Sequence, residues 1–198
     1  MLGILAEGQI MFITQFQNVG RFLFERGLVS SESGNLSIRL GDRLIITRRG
    51  SNLGALVEKD LVETGISKND RATPLASIEL SVHRAIYQHT QARAVVHAHP
   101  AHVTALSLTE KVINSEHLEN FCALGPVPII GWGIEGKPAG IPDLVSEVLK
   151  DHRIVAVYGH GSFAVGQLLE EAYNCTTGLE EACQILCILK SIRAPSPI

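Results

Sequence analysis

No apolar run in this sequence approaches the ~18 residues that a membrane-spanning helix needs, and the opening stretch Met1 to Glu7 has no basic segment ahead of an apolar one. No secretory leader of the usual kind and no membrane partner are expected, and a cytoplasmic location is. Basic residues never cluster beyond the pair Arg48-Arg49. With a net charge of -3 and a pI near 6.2, the chain has no electrostatic footprint for nucleic acid. Its four cysteines, Cys122, Cys175, Cys183 and Cys187, show no CxxC spacing, so no disulfide framework is expected. Internal repeats and low-complexity segments are missing too. Small molecules and protein partners are what remain.

The 198 residues suffice for one large domain, 1–198, with a real core. A hydrophobic fraction of 45% and a mean hydropathy of +0.19 hint that other subunits cover part of the surface. Apolar positions Ile10, Ile13, Phe16, Val19, Leu23 and Phe24 predict an amphipathic helix from Glu7 to Arg26, stopped by Gly27. Leu36, Ile38 and Leu40, a Gly41-Asp42 turn and Leu44 to Thr47 predict a hairpin, with a further short strand at Leu61 to Thr64. Helices are expected at Ser77 to His89, with Ser77 as N-cap, at Ala101 to Leu108, from Pro142, and from Leu168 to Ile192. Lys111 to Gly140, which holds Trp132, reads as loop, and Ala194 onward as an extended tail. Helices before, between and after strands imply an α/β or α+β layered fold.

Chemistry concentrates in Val95-Val96-His97-Ala98-His99-Pro100. Side chains alternate along a strand, so His97 and His99 share one face while Val96 and Ala98 pack on the other. Two imidazoles aimed at one place can hold a metal ion, and a catalytic ion usually takes three protein ligands. His160 is the best third, because Gly159 and Gly161 let the backbone approach closely at the tip of the hairpin from Ile154 to Val165. His83 and His102 are the other histidines near enough in sequence to join, with packing the more ordinary role for each. His89, His117 and His152 have no such context. A metal held by neutral imidazoles keeps its charge for an anion formed on substrate, and Glu79, at the start of the helix that feeds the histidine strand, is the choice of base.

Four motifs in this order, Ser33-Gly34-Asn35-Leu36-Ser37, Ser77-Ile78-Glu79, His97-Ala98-His99 and Gly159-His160-Gly161, together resemble the class II aldolase/adducin family over roughly residues 10 to 190. The resemblance implies a central, largely antiparallel sheet flanked by helices, and a homotetramer with active sites at subunit interfaces. It also implies Zn²⁺ or another divalent ion on His97, His99 and His160, with Glu79 as catalytic acid/base. Gly34, Asn35, Arg49, Gly50 and Ser77 are implied to hold a substrate phosphate. The activity implied is cleavage of a phosphorylated sugar, of the fuculose 1-phosphate kind, to dihydroxyacetone phosphate and an aldehyde through a metal-stabilised enediolate. Epimerases, dehydratases and decarboxylases of the same family are the alternatives, and a non-catalytic adducin-like assembly module is a third class.

The chain departs from the aldolase pattern at three places. Arg49 stands where a threonine is usual, and Ile78 where a second serine is; an arginine there can bind phosphate or carboxylate bidentately. The tyrosines that such aldolases use as proton donors have no match, since Tyr87, Tyr158 and Tyr173 lie elsewhere and the tail from Ala194 has none.

Overall fold

The computed structural model describes residues 2–114, 124–131 and 140–193. Expectations for His117, Cys122, Trp132 and the tail 194–198 fall outside them. In chain order the elements are α1 (Leu2–Glu25), β1 (Asn35–Leu40), β2 (Arg43–Thr47), β3 (Leu61–Gly65), α2 (Leu80–His89), β4 (Ala94–Ala98) and α3 (Ala101–Ser107). There follow β5 (Val112–Ile113), β6 (Val127–Ile130), α4 (Ile141–Val148), β7 (Ile154–Val157), β8 (Gly161–Gly166) and α5 (Leu169–Arg193).

Helix α1 buries Phe16, Val19 and Leu23, the three-and-four spacing that turns one stripe to a core. At its end the Leu28 amide donates to the Leu23 carbonyl at 2.9 Å and the Gly27 amide to Phe24 at 3.0 Å. Those bonds satisfy carbonyls that a helix terminus leaves over, and the helix stops where the sequence places its stop.

The described strands form one mixed sheet in the order β3-β2-β1-β4-β8-β7-β6-β5. Every pairing is antiparallel except β6 with β7. Alternation sorts each strand between two helical layers. Leu36, Ile38, Val96, Ala98, Ala156 and Ala164 face α1, α3 and α5, whereas Leu44, Ile46, Val95, Val155, Phe163 and Val165 face α2 and α4. His97, between Val96 and Ala98 and two residues after Val95, therefore points to the α2 side.

Two expectations need correction. The stretch Lys111 to Gly140 contains strands rather than loop alone: β5 and β6 pair at Val112 with Pro128, and β6 runs beside β7. Four residues with a proline inside give too little alternation to announce a strand, and Pro128 is tolerated because its neighbour is the two-residue edge strand. Ser77, in turn, does not cap α2. Glu79 occupies the cap position, because the chain makes a turn over residues 78–79 before α2 begins, and the Ser77 hydroxyl accepts the Glu79 amide at 3.2 Å within that turn.

Candidate metal centre and active site

His97 is the penultimate residue of the fourth strand in an eight-stranded sheet, hydrogen-bonded on both flanks to β1 and β8. Its ring is buried and stacks on Phe163 with centroids 4.1 Å apart and planes 15° from parallel. Its Nδ1–H donates to the Ser162 carbonyl at 2.9 Å. That bond fixes the tautomer and leaves the lone pair on Nε2, which faces His99 Nε2 at 2.9 Å.

His160 stacks against His97, with centroids at 5.0 Å. Gly161 acts as the sequence suggests: a Cβ there would sit 2.3 Å from the Ala98 carbonyl oxygen, so any larger residue would push the hairpin tip off the histidine strand, whereas Gly159 supplies a turn at φ +62°. The same close approach occurs at Gly34, whose φ is +77° and where a Cβ would meet the His97 carbonyl oxygen at 2.9 Å.

One ligand atom from each of His97, His99 and His160 lies within 4.8 Å of the others. Nitrogens bound to a single tetrahedral ion at about 2.1 Å stand about 3.4 Å apart. The observed set, from 2.9 Å between His97 and His99 to at most 4.8 Å overall, brackets that separation, and three imidazoles of this kind fit a divalent cation. Burial pushes the His97 pKa well below its usual range, and neighbouring His99 and His160 push it the same way. His97 is thus kept neutral, as a ligand must be.

Glu79 enters from α2. It is only 8% exposed, makes no capping bond to the helix, and places Oε1 3.7 Å from His160 Nε2. A buried carboxylate beside a trio of imidazoles can accept and return a proton.

The three segments expected to hold phosphate are tied together through Thr47. Its hydroxyl accepts the Leu36 amide at 3.2 Å, and its carbonyl accepts the Ser77 amide at 3.1 Å. The Arg49 amide donates to Leu75 at 3.1 Å, and Arg48 bridges to Ala76, which sets Arg49 and Gly50 alongside Ser77. Asn35 lies directly across the ladder from His97. Ile78, where the aldolase pattern has a serine, is 60% exposed.

His102 is not part of this cluster. Its Nδ1 and the amides of His102 and Val103 are held by Glu180, the imidazole at 2.7 Å. His89 instead bonds Ser146. His83 is fully buried under the site, with Nε2 2.5 Å from Asn35 Oδ1 and Nδ1 2.6 Å from Ser37 Oγ. Ser37 in turn meets the Tyr87 hydroxyl at 2.7 Å. Thr47 was not singled out from the sequence, and Ser37 and Tyr87 were given no part in the site there, although Glu79, His83 and Tyr87 stand four apart and so share a helix face.

Burial drives the His83 pKa from its ordinary 6.5 down to about 3. A histidine whose folded pKa is depressed contributes its full share of stability above the unfolded value and loses it as pH falls, because the unfolded chain then binds a proton that the folded one refuses. Urea unfolding of the metal-free protein is expected to lose about 1.4 kcal/mol per pH unit on this account below pH ~6.5. A flatter acid limb in His83→Gln checks the assignment, and an unchanged limb refutes it.

Comparison with known proteins places these features in context. Residues 14–187 match the family model for the class II aldolase and adducin N-terminal domain. An L-fuculose phosphate aldolase of Methanococcus maripaludis is 31% identical, the alignment covering 92% of this chain and all of that protein. A 3-oxo-tetronate 4-phosphate decarboxylase of Haemophilus influenzae is 29% identical over 87% of this chain and 85% of its own length. The crystal structure of L-fuculose-1-phosphate aldolase from Thermus thermophilus superposes with a TM-score of 0.86 at 34% identity, covering 94% of this chain and all of the other.

Proposed function

Since the chain belongs to the class II aldolase and adducin N-terminal domain family, we propose that it is a divalent-metal-dependent lyase. It cleaves a phosphorylated sugar of the fuculose 1-phosphate kind to dihydroxyacetone phosphate and an aldehyde. The observation that carries this reading is the convergence of His97, His99 and His160 with the buried carboxylate of Glu79 beside them.

His97, His99 and His160 are the residues that would hold the cation, with Zn²⁺ the expected ion. When bound, it supplies Lewis acidity that makes a proton beside a carbonyl easier to remove and the reverse protonation easier to control. Glu79 takes that proton at its carboxylate in the condensation direction and returns it to the same carbon after cleavage. Gly34, Asn35, Arg49, Gly50 and Ser77 bind the phosphate through amides, a carboxamide, a guanidinium and a hydroxyl. The Arg49 guanidinium brings a full positive charge where the aldolase pattern has a neutral hydroxyl, which strengthens selection for an anionic substrate.

A second reading, decarboxylation of a 3-oxo acid 4-phosphate, has specific support in the Haemophilus relative and in the tyrosines this chain lacks. Releasing an aldehyde requires a base for the hydroxyl of the departing fragment; releasing carbon dioxide requires none, because the carboxylate departs already deprotonated. Both reactions leave an electron pair on the carbon that Glu79 protonates. A metal-supplemented screen over sugar 1-phosphates, ketose phosphates and a 3-oxo acid 4-phosphate separates them. Dihydroxyacetone phosphate with an aldehyde supports the aldolase, dihydroxyacetone phosphate with carbon dioxide the decarboxylase. An intact carbon skeleton throughout would sink both in favour of an epimerase or dehydratase.

The same proposal includes a homotetramer with sites between subunits and a single domain over 1–198. Phe22, Phe24, Ile185, Ile188 and Ile192 are apolar side chains left exposed on α1 and α5, a surface suited to cover by other subunits. Light scattering is expected to give four times the 21.4 kDa chain mass; a monomer at micromolar concentration overturns this part.

A further inference from the structure

Beneath the site, four buried side chains form an unbranched line: Tyr87 hydroxyl, Ser37 hydroxyl, His83 imidazole, Asn35 carboxamide, with successive separations of 2.7, 2.6 and 2.5 Å. We infer that Tyr87, Ser37 and His83 are positioning residues whose hydrogen bonds run in one direction only, and that they lock the Asn35 carboxamide with its NH₂ turned toward the substrate phosphate. The inference rests on the phosphate-binding role proposed for Asn35.

Direction follows from where each hydrogen can go. Tyr87 is 1% exposed, and among the described residues its hydroxyl meets only Ser37. Burial raises its pKa, so the phenol keeps its hydrogen and must donate it. Ser37 Oγ accepts that hydrogen and passes its own to the one remaining partner, His83 Nδ1. Burial lowers the His83 pKa to about 3, so the ring is neutral. With Nδ1 accepting, the ring's hydrogen sits on Nε2 and is donated to Asn35, whose carbonyl oxygen is the only atom of its amide able to accept. Running the line the other way would leave the phenol hydrogen buried without an acceptor, the arrangement that folded proteins avoid most consistently.

Asn35 is thereby left with two N–H donors that meet no partner among the described residues. Its side chain lies on the same sheet face as His97, directly across the β1–β4 ladder, and the Gly34 backbone beside it packs against the His97 carbonyl. The amide therefore presents donors, and no acceptor, on the side where the imidazoles converge. An anion is what such a group selects.

Nitrogen-15 NMR of histidine-labelled protein reads the tautomer of His83 directly. The expected result is the Nε2–H form, and the Nδ1–H form overturns the proposal. This measurement uses no substrate, so it stands or falls separately from the lyase reading, which a protein without turnover in the substrate screen would defeat on its own. The second test is Asn35→Asp, which keeps the oxygen facing His83 and replaces the donors with a carboxylate oxygen. Binding of dihydroxyacetone phosphate is expected to weaken at least tenfold, an estimate from the loss of hydrogen bonds to a charged group. Wild-type affinity in this variant would mean that Asn35 offers its oxygen, and the proposal fails. Tyr87→Phe removes the hydrogen that enforces direction. It is expected to populate both His83 tautomers and to raise KM for the phosphorylated substrate several-fold while kcat holds; a pure Nε2–H signal with unchanged KM overturns the role of Tyr87.

Discussion

Glu79→Gln is expected to abolish exchange of solvent protons into dihydroxyacetone phosphate, by about 10²- to 10⁴-fold, the range that a positioned acid or base contributes. Metal content should stay unchanged. The carboxamide matches the carboxylate in shape, so the cap position of α2 and the amide bond to Ser77 survive, and the imidazole cluster is untouched. What is lost is the capacity to hold a proton at the atom 3.7 Å from His160 Nε2. Exchange by mass spectrometry in heavy water makes the comparison without knowledge of the aldehyde partner. Undiminished exchange in the variant excludes Glu79 as the base.

His97→Ala has the other large effect. Of the three imidazoles this one is the most confined, pinned by the Ser162 carbonyl and the Phe163 ring. Removing it deletes the central donor and should lower metal affinity by more than the roughly 10- to 100-fold that follows loss of an outer hydrogen-bond partner. Turnover should vanish with the ion. The vacated space also costs about 2–4 kcal/mol of stability by analogy with other buried large-to-small changes, so metal analysis belongs with an unfolding curve. His99→Ala separates the two effects, because His99 is half-buried just beyond the end of β4 and its removal empties far less of the core. If both variants bind zinc and turn over as the parent does, the three histidines are not a catalytic centre, and the assembly-module class gains.

Local pattern carried much of this molecule. The alternation in β1, the apolar runs in β2, β4, β7 and β8 and the stripe of α1 are properties of neighbouring residues, and neighbouring residues are what a sequence displays. The histidine cluster was legible for the same reason: two histidines two apart on an apolar strand, and a third framed by glycines. Less legible was whatever depends on pairing across the sheet. Strand β6 is defined by its parallel partner β7 more than by its own four residues. The cap of α2 lies two residues further on than Ser77, in a turn that the Ser-Ile-Glu motif does not reveal. Ser37 and Tyr87 stayed hidden because nothing in one dimension says that a strand residue and a helix residue 50 positions apart will meet in the dark.

Placing His97 on β4 has one more consequence. A strand bonded along both edges and sandwiched between two helical layers has no local way to fray; it opens only when the sheet does. The arrangement of His97 and its neighbours is therefore built during folding and kept thereafter, so that neither cation nor substrate has to organise it on arrival. Binding energy that a floppier site would spend on assembly is left for the reacting atoms.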